Sequence, residues 1–273
     1  LRPLPKVPNE KTDVIALNIG FGPLEAEFWR LLFCMTRIGA AMVAAPLFGA
    51  GGVPMQVRVI ASGAIAVLVC AWTPLAAPPA LFSANGLLIL AGEVLVGVSL
   101  GFVLQLAFAA PIIAAELISG GMGMGMATAV DPNSGTQSPA LGQYFSVVLT
   151  LVFLATGAHL QWIALLVDSY RLLPPGETWL GAEGTSAIAA MAGQMFTAAV
   201  AMALPVTLVL LLVQVATGVL SRSAPSLNLF SLGLPAGVLA GFAALLAAAP
   251  MLGDTMADIS AAAIDNARAV VAR

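Results

Sequence analysis

Charge is what this chain has least of. Acidic and basic residues make up 8% of its 273 residues, against about 25% in a soluble domain. A lone soluble globule is thereby excluded: the chain is membrane-embedded, or enclosed by other apolar subunits. Histidine is represented once, by His159, and cysteine twice, by Cys34 and Cys70 in separate apolar runs. With neither CxxC nor HExxH present, a disulfide framework and a zinc site have no support, and no metal, cofactor or catalytic residue is expected. The two cysteines are expected to be small core residues. The net charge is −3 without a basic block, which argues against nucleic acid as a partner.

What the chain does have is oil. Mean hydropathy is +1.01, and no Asp, Glu, Lys or Arg occurs in Val59–Gly92, Val94–Ala115, Pro132–Val167, Gly184–Ser221 or Ser223–Gly253. A helix needs about 20 apolar residues to cross a bilayer core. Six helices are expected, over Phe28–Phe48, Val59–Pro74, Gly86–Ala110, Leu141–Tyr170, Ala187–Leu220 and Leu229–Ala249, in an all-α membrane fold. Turn chemistry separates them, in "GAGGVP", "TPLAAPP", "DPNSG", "LPPGE" and "SRSAPS". Gly157 is expected to loosen the fourth helix and Pro205 to bend the fifth. Leu1–Asp13 is expected to be a mobile polar tail, and Asp254–Arg273 an amphipathic helix on a surface or a partner. With six crossings, Arg2, Lys6, Lys11, Arg171, Arg268 and Arg273 share one side, and Arg58 and Arg222 the other. That asymmetry favours cytoplasmic termini.

Small residues recur every four positions at Gly233, Gly237 and Gly241, and again at Gly97 and Gly101. Such stripes let helix backbones approach closely, either within a chain or at an intersubunit seam. Arg37, Glu93, Glu116 and His159 lie in or beside apolar runs. A charge at a helix centre costs roughly 2.5–3.5 kcal/mol, so these groups should pair, snorkel or face a wet cavity. Arg37 with Glu93 is a candidate pair. His159 is expected to be a hydrogen-bonded packing residue, and Asp131, before Pro132, to cap the next helix.

The stretch "ISGGMGMGMATAVDP" (Ile118–Pro132) is the least helix-like among the apolar runs. Glycine disfavours both strand and helix, so a flexible loop is expected. Its thioethers are polarizable and repack around differently shaped neighbours. Gly120, Gly121, Met122, Gly123, Met124, Gly125 and Met126 can form a soft seal, apolar enough to block water and loose enough to yield. An ordinary interhelical loop with a Met-rich lining remains the other reading.

Several longer motifs carry a resemblance. "GMGMATAVDPNSGTQSPALGQ" (Gly123–Gln143), "FLATGAHLQWIALLVDSYRLLPPGE" (Phe153–Glu177), "LSRSAPSLNLFSLGLP" (Leu220–Pro235) and "RIGAAMVAAPLFGAGGVPMQVRV" (Arg37–Val59) resemble the R-type export-gate subunits of bacterial type III secretion, the FliR/SctT family, from about Phe28 to Ala249. The resemblance implies a polar entry segment over 1–27, a P-subunit-like part over 28–183 and a Q-subunit-like hairpin with a polar tail over 184–273. It implies a pore-plugging loop at 118–128, with Glu116 as a possible anchor. At this loop the family usually carries a larger aliphatic residue and Ser-Phe, where this chain has Gly-Met-Gly-Met-Ala. It also implies a non-enzymatic gate in the inner membrane at the flagellar basal body. The implied partners are P-type and Q-type subunits (FliP, FliQ), the switch subunit FlhB, the export platform FlhA and unfolded secretion substrates. An injectisome gate shares this architecture. A secondary transporter for small solutes is the alternative of another class; it needs a midplane site at broken helices.

Overall fold

The structure is a computed structural model that describes residues 23–73, 83–124, 140–176, 181–223 and 229–271. Among these residues the fold is all-helical. Seven helices follow in order: α1 (Pro23–Ala44), α2 (Met55–Trp72), α3 (Ala84–Gly121), α4 (Ala140–Ala155), α5 (Ala158–Leu172), α6 (Ala182–Ser223) and α7 (Leu229–Val271).

The core is organised around α3, which packs against α1, α4, α6 and α7. Half of its most apolar span is buried inside the chain, against 17–28% for the equivalent spans of α2, α6 and α7. The Ser83 hydroxyl fixes its start by accepting from the Gly86 N–H at 3.0 Å. The helix runs on through the buried Pro111 and ends at Gly121, eleven residues beyond the expected end at Ala110. Ile118 and the small Ala114 and Ala115 are fully buried in that extension, so packing outweighs the local preference of proline and glycine.

The Gly97–Gly101 stripe is an internal seam between α3 and α1. A Cβ at Gly97 would lie 2.9 Å from the Ala40 Cβ, and one at Gly101 would lie 2.6 Å from the Ala44 Cβ. Both would also meet α1 backbone carbonyls. Spacing by four on both helices is the ridge-into-groove arrangement that small residues permit. Gly97–Gly101 also spells G-x-S-x-G, a hydrolase nucleophile pattern that requires a strand-to-helix elbow. Here it lies mid-helix, and the Ser99 hydroxyl donates to the Leu95 carbonyl at 2.8 Å.

The expected fourth helix is two helices. Gly157 adopts φ +73°, and α4 and α5 diverge by 69° at that break. A left-handed residue interrupts the helical ladder, and glycine takes that conformation without a steric penalty. By contrast, α6 continues through Pro205 as one helix. The amphipathic helix expected over Asp254–Arg273 is the continuation of α7, which runs to Val271. Ala263, Ile264, Ala267, Val270 and Val271 are buried, while the charges at Asp254, Asp258, Asp265 and Arg268 recur on another face. The tail therefore packs on its own chain, and Asn266 reaches Gln194 of α6 at 3.4 Å.

Among the described residues, four helices are long and apolar enough to cross a membrane: Met55–Trp72, Ala84–Gly121, Gly184–Ser223 and Gly233–Val271. The bent α4–α5 pair makes five if it counts as one span. On length and composition the described helices thus give four or five candidate spans, beside the six helices expected. The difference is α1, in which Glu27, Arg30 and Arg37 fall within any stretch long enough to span. Many large apolar side chains face outward, including Ile60, Leu212 and Leu246 at 71%, 70% and 78% exposure. A surface of that kind is stable only against lipid or other apolar subunits.

Candidate functional site

The Gly-Met stretch begins inside α3 and leaves it through a defined cap. The Gly123 N–H donates to the Gly120 carbonyl at 3.1 Å, and the Met124 N–H to the Ser119 carbonyl at 3.1 Å. Gly123 adopts φ +79°. This pair of reversed bonds around a left-handed glycine is a Schellman cap, which satisfies carbonyls that the helix end would otherwise leave unpaired. The expectation of a flexible loop from Ile118 is corrected accordingly. Residues 118–121 are helical and 122–124 form the cap; Gly125, Met126 and Asp131 lie outside the described residues.

The cap is docked on the C-terminal hairpin. Met122 is only 2% exposed. Its side chain occupies the space that a side chain at Gly241 would need: a Cβ there would lie 2.5 Å from Met122 Cγ and 2.7 Å from Sδ. A Cβ at Gly237 would approach the Met122 carbonyl oxygen at 3.3 Å. The second glycine stripe is thus a seat for one methionine, and Gly233, one turn earlier, is half-buried. From α6, Gln214 Nε2 donates to the Gly121 carbonyl at 2.8 Å. Leu210 of α6 and Leu234 of α7 would each lie 3.1 Å from a Cβ at Gly121 and Gly123 respectively. Sequence reasoning missed Gln214. Its only signal was an amide in an otherwise apolar run, which must find a partner if it faces protein. Met124 is half-buried and Gly120 exposed.

A second polar centre lies deeper. Arg37 and Glu93 are both fully buried and joined in a fork, with Nε to Oε2 at 2.8 Å and Nη2 to Oε1 at 2.9 Å. The remaining N–H groups of Arg37 reach the end of α5. Nη1 donates to the Ser169 carbonyl at 2.9 Å and to its hydroxyl at 3.1 Å, and Nη2 to the Leu173 carbonyl at 2.8 Å. All five guanidinium donors are satisfied, and the cation meets the partial negative charge of a helix C-terminus. The Tyr170 ring lies 4.2 Å from the guanidinium carbon, and its hydroxyl donates to the Cys34 carbonyl at 2.6 Å. Close by, Trp162 Nε1 donates to the Leu100 carbonyl at 3.3 Å, and its ring stacks on Phe48. The centre ties α1, α3 and α5 together. With its charges neutralised and enclosed, it is built as a structural joint.

Glu116 and His159 stand apart from both centres. Glu116 is exposed, and among the described residues its carboxylate has no hydrogen-bond or ion-pair partner. The described structure therefore gives no anchoring bond from Glu116. His159 is half-buried, and its Nδ1 has no hydrogen-bond partner among the described residues. Cys34 and Cys70 are free thiols with sulfurs 3.6 Å apart.

Residues 28–263 match the family described as bacterial export proteins, family 1. The flagellar biosynthetic protein FliR of Pectobacterium carotovorum is 33% identical over 82% of this chain and 84% of its own length. That of Escherichia coli K12 is 33% identical over 84% and 86%, and that of Bacillus subtilis 168 is 30% identical over 90% and 95%. An all-helical chain with several membrane-length apolar helices, matched along nearly its whole length, is a membrane-embedded component of the flagellar export apparatus and belongs to the bacterial export proteins, family 1.

Proposed function

We propose that this chain is a structural and gating subunit of the flagellar protein export gate. With P-type and Q-type subunits (FliP, FliQ) it forms the inner-membrane channel for unfolded flagellar proteins, at the basal body and beside FlhB and FlhA. Residues 28–183 act as the P-like part and 184–273 as the Q-like hairpin. The role is non-catalytic.

The observation that carries this reading is the construction of the Gly-Met turn. Helix α3 delivers thioethers at a capped end, Met122 is locked into the Gly237–Gly241 seat, and Met124 follows half-buried. Under this reading Met122 is the root of the stopper, and Met124 and the residues after it meet the channel. Thioethers bind no substrate side chain strongly, so any sequence can leave again. Export substrate, driven by the proton motive force and the cytoplasmic ATPase machinery, displaces the stopper. The relatives named above are flagellar, which favours this apparatus over an injectisome.

Two measurements test the reading. The chain should co-purify with P-type and Q-type subunits; recovery as a lone monomer that binds a small solute would favour a transporter. Deleting Gly121–Met126 should raise ion conductance through assembled gates in reconstituted membranes. Unchanged conductance, together with tolerance of a charge at Met124, would leave only a scaffold role.

A further inference from the structure

The two cysteines are nucleophiles that the export role leaves unused. They are the only cysteines in the chain and stand 36 positions apart, yet their sulfurs lie 3.6 Å apart, with the Cys70 thiol donating toward Cys34 Sγ. Helices α1 and α2 bring them together by pairing antiparallel. One turn nearer the end of that pair, Arg30 Nη2 donates to the Thr73 carbonyl at 3.1 Å. A disulfide bond is about 2.0 Å long, so the sulfurs need approach by only about 1.6 Å, shared between two side chains.

Access differs between the two thiols. Cys34 is 1% exposed, whereas Cys70 is half-buried in the last turn of α2. That end meets water: Glu27 and Arg30, two turns and one turn before Cys34, form an ion pair at 3.5 Å with the Glu27 side chain 65% exposed. Cys70 is therefore the sulfur that a small oxidant meets first. A bond between them would join unequal helices. Of the candidate spans α2 is the least enclosed by the chain, and it packs mainly on α1. Helix α1 is fixed at this level, because the Cys34 carbonyl accepts from Tyr170 and Arg37 holds the joint with α3 and α5.

We propose that Cys34 and Cys70 are a redox-active pair, which hydrogen peroxide converts to a disulfide fastening α2 to α1 and a thiol reductant reopens. The Cys70 sulfur attacks one peroxide oxygen; the O–O bond breaks, water leaves and Cys70 becomes a sulfenic acid. The Cys34 sulfur then attacks Cys70 Sγ. The S–S bond forms, the S–OH bond breaks, and hydroxide leaves as a second water with the Cys34 thiol proton. The two sulfurs together lose two electrons and the peroxide gains them. Two equivalents of a thiol reductant return those electrons by exchange.

The test uses the full chain, purified in mild detergent with the gate subunits that accompany it, reduced and then treated with hydrogen peroxide. Peptide mapping without reduction should give a species joining Cys34 to Cys70, from a band at monomer mass, that dithiothreitol removes. Amides of Val67–Cys70 should exchange about tenfold slower in the oxidised form, while amides around Trp162 stay unchanged. Cys34→Ala should stop at a sulfenic acid on Cys70 that dimedone traps. If that variant does not fold, the linked peptide and the exchange rates of the natural chain still decide. Retention of both thiols, links only between separate chains, a folded Cys34→Ala chain without the dimedone adduct, or a Cys34–Cys70 link that leaves α2 exchange unchanged each overturn the proposal.

Discussion

Alanine in place of Gly241 puts a methyl carbon 2.5 Å from Met122 Cγ, 2.7 Å from Sδ and 2.9 Å from Cε. The two groups cannot share that space. The methionine, with three rotatable bonds, is the part able to leave, whereas α7 is held by α3 and α6 along its length. Unseating Met122 forfeits roughly 1.5–3 kcal/mol of burial. Alanine returns about 1 kcal/mol in helix propensity. The net effect is a loss of about 0.5–2 kcal/mol, a factor of roughly 2–30 in the open population, confined to the end of α3. Hydrogen exchange reads this directly. The Gly123 and Met124 amides, which bond Gly120 and Ser119, should exchange about 2–30 times faster, while amides around Val103 stay unchanged. Gly193→Ala, where a Cβ meets nothing within 4 Å, is the control and should slow exchange slightly or leave it alone. Unchanged rates at Gly123 and Met124, or acceleration spread evenly along α3 and α7, would show that Met122 is not held by the glycine seat.

Glu93→Ala strands the Arg37 cation in a dry joint and should cost about 3–5 kcal/mol in unfolding from mild detergent. The double replacement Arg37→Met with Glu93→Leu should recover most of that loss. Gln214→Ala removes the only side-chain bond to the Gly121 carbonyl among the described residues and should cost about 0.5–1.5 kcal/mol. It would be seen as faster exchange at Gly123 with little change in melting temperature. Gly157→Ala forces a Cβ into φ +73° and should destabilise by about 1–2 kcal/mol, with Gly157→Asn milder because asparagine tolerates that conformation.

The spans were legible in the sequence because charge-free runs leave the chain no other option, and an ionisable pair in such runs had to close on itself. The partners of Arg37 beyond Glu93 were not legible. Its other acceptors are the Ser169 and Leu173 carbonyls, and backbone acceptors carry no residue-type signal. The glycine stripes announced close contact but not with what: Gly97 and Gly101 meet α1, while Gly237 and Gly241 meet a single methionine. Both contacts are set by chain topology. The Gly-Met stretch misled because its period of two hid one decisive position. Gly123 is the left-handed cap and Met122 is core, so alternate residues there do different jobs. The reach of α7 to Val271 was obscured by the charges after Gly253, which are one face of a helix whose other face is buried.

The seat of Met122 has a further geometric consequence. Glycines 233, 237 and 241 are evenly spaced, and the methionine sits at the last two. Moving α7 by four residues, about 6 Å, would offer the same side chain Gly233 and Gly237, a second notch of identical chemistry. Movement the other way puts Leu245 where Gly241 now lies, with a side chain in the place that Met122 occupies. A four-residue shift of α7 past the end of α3 therefore meets glycine in one direction and leucine in the other.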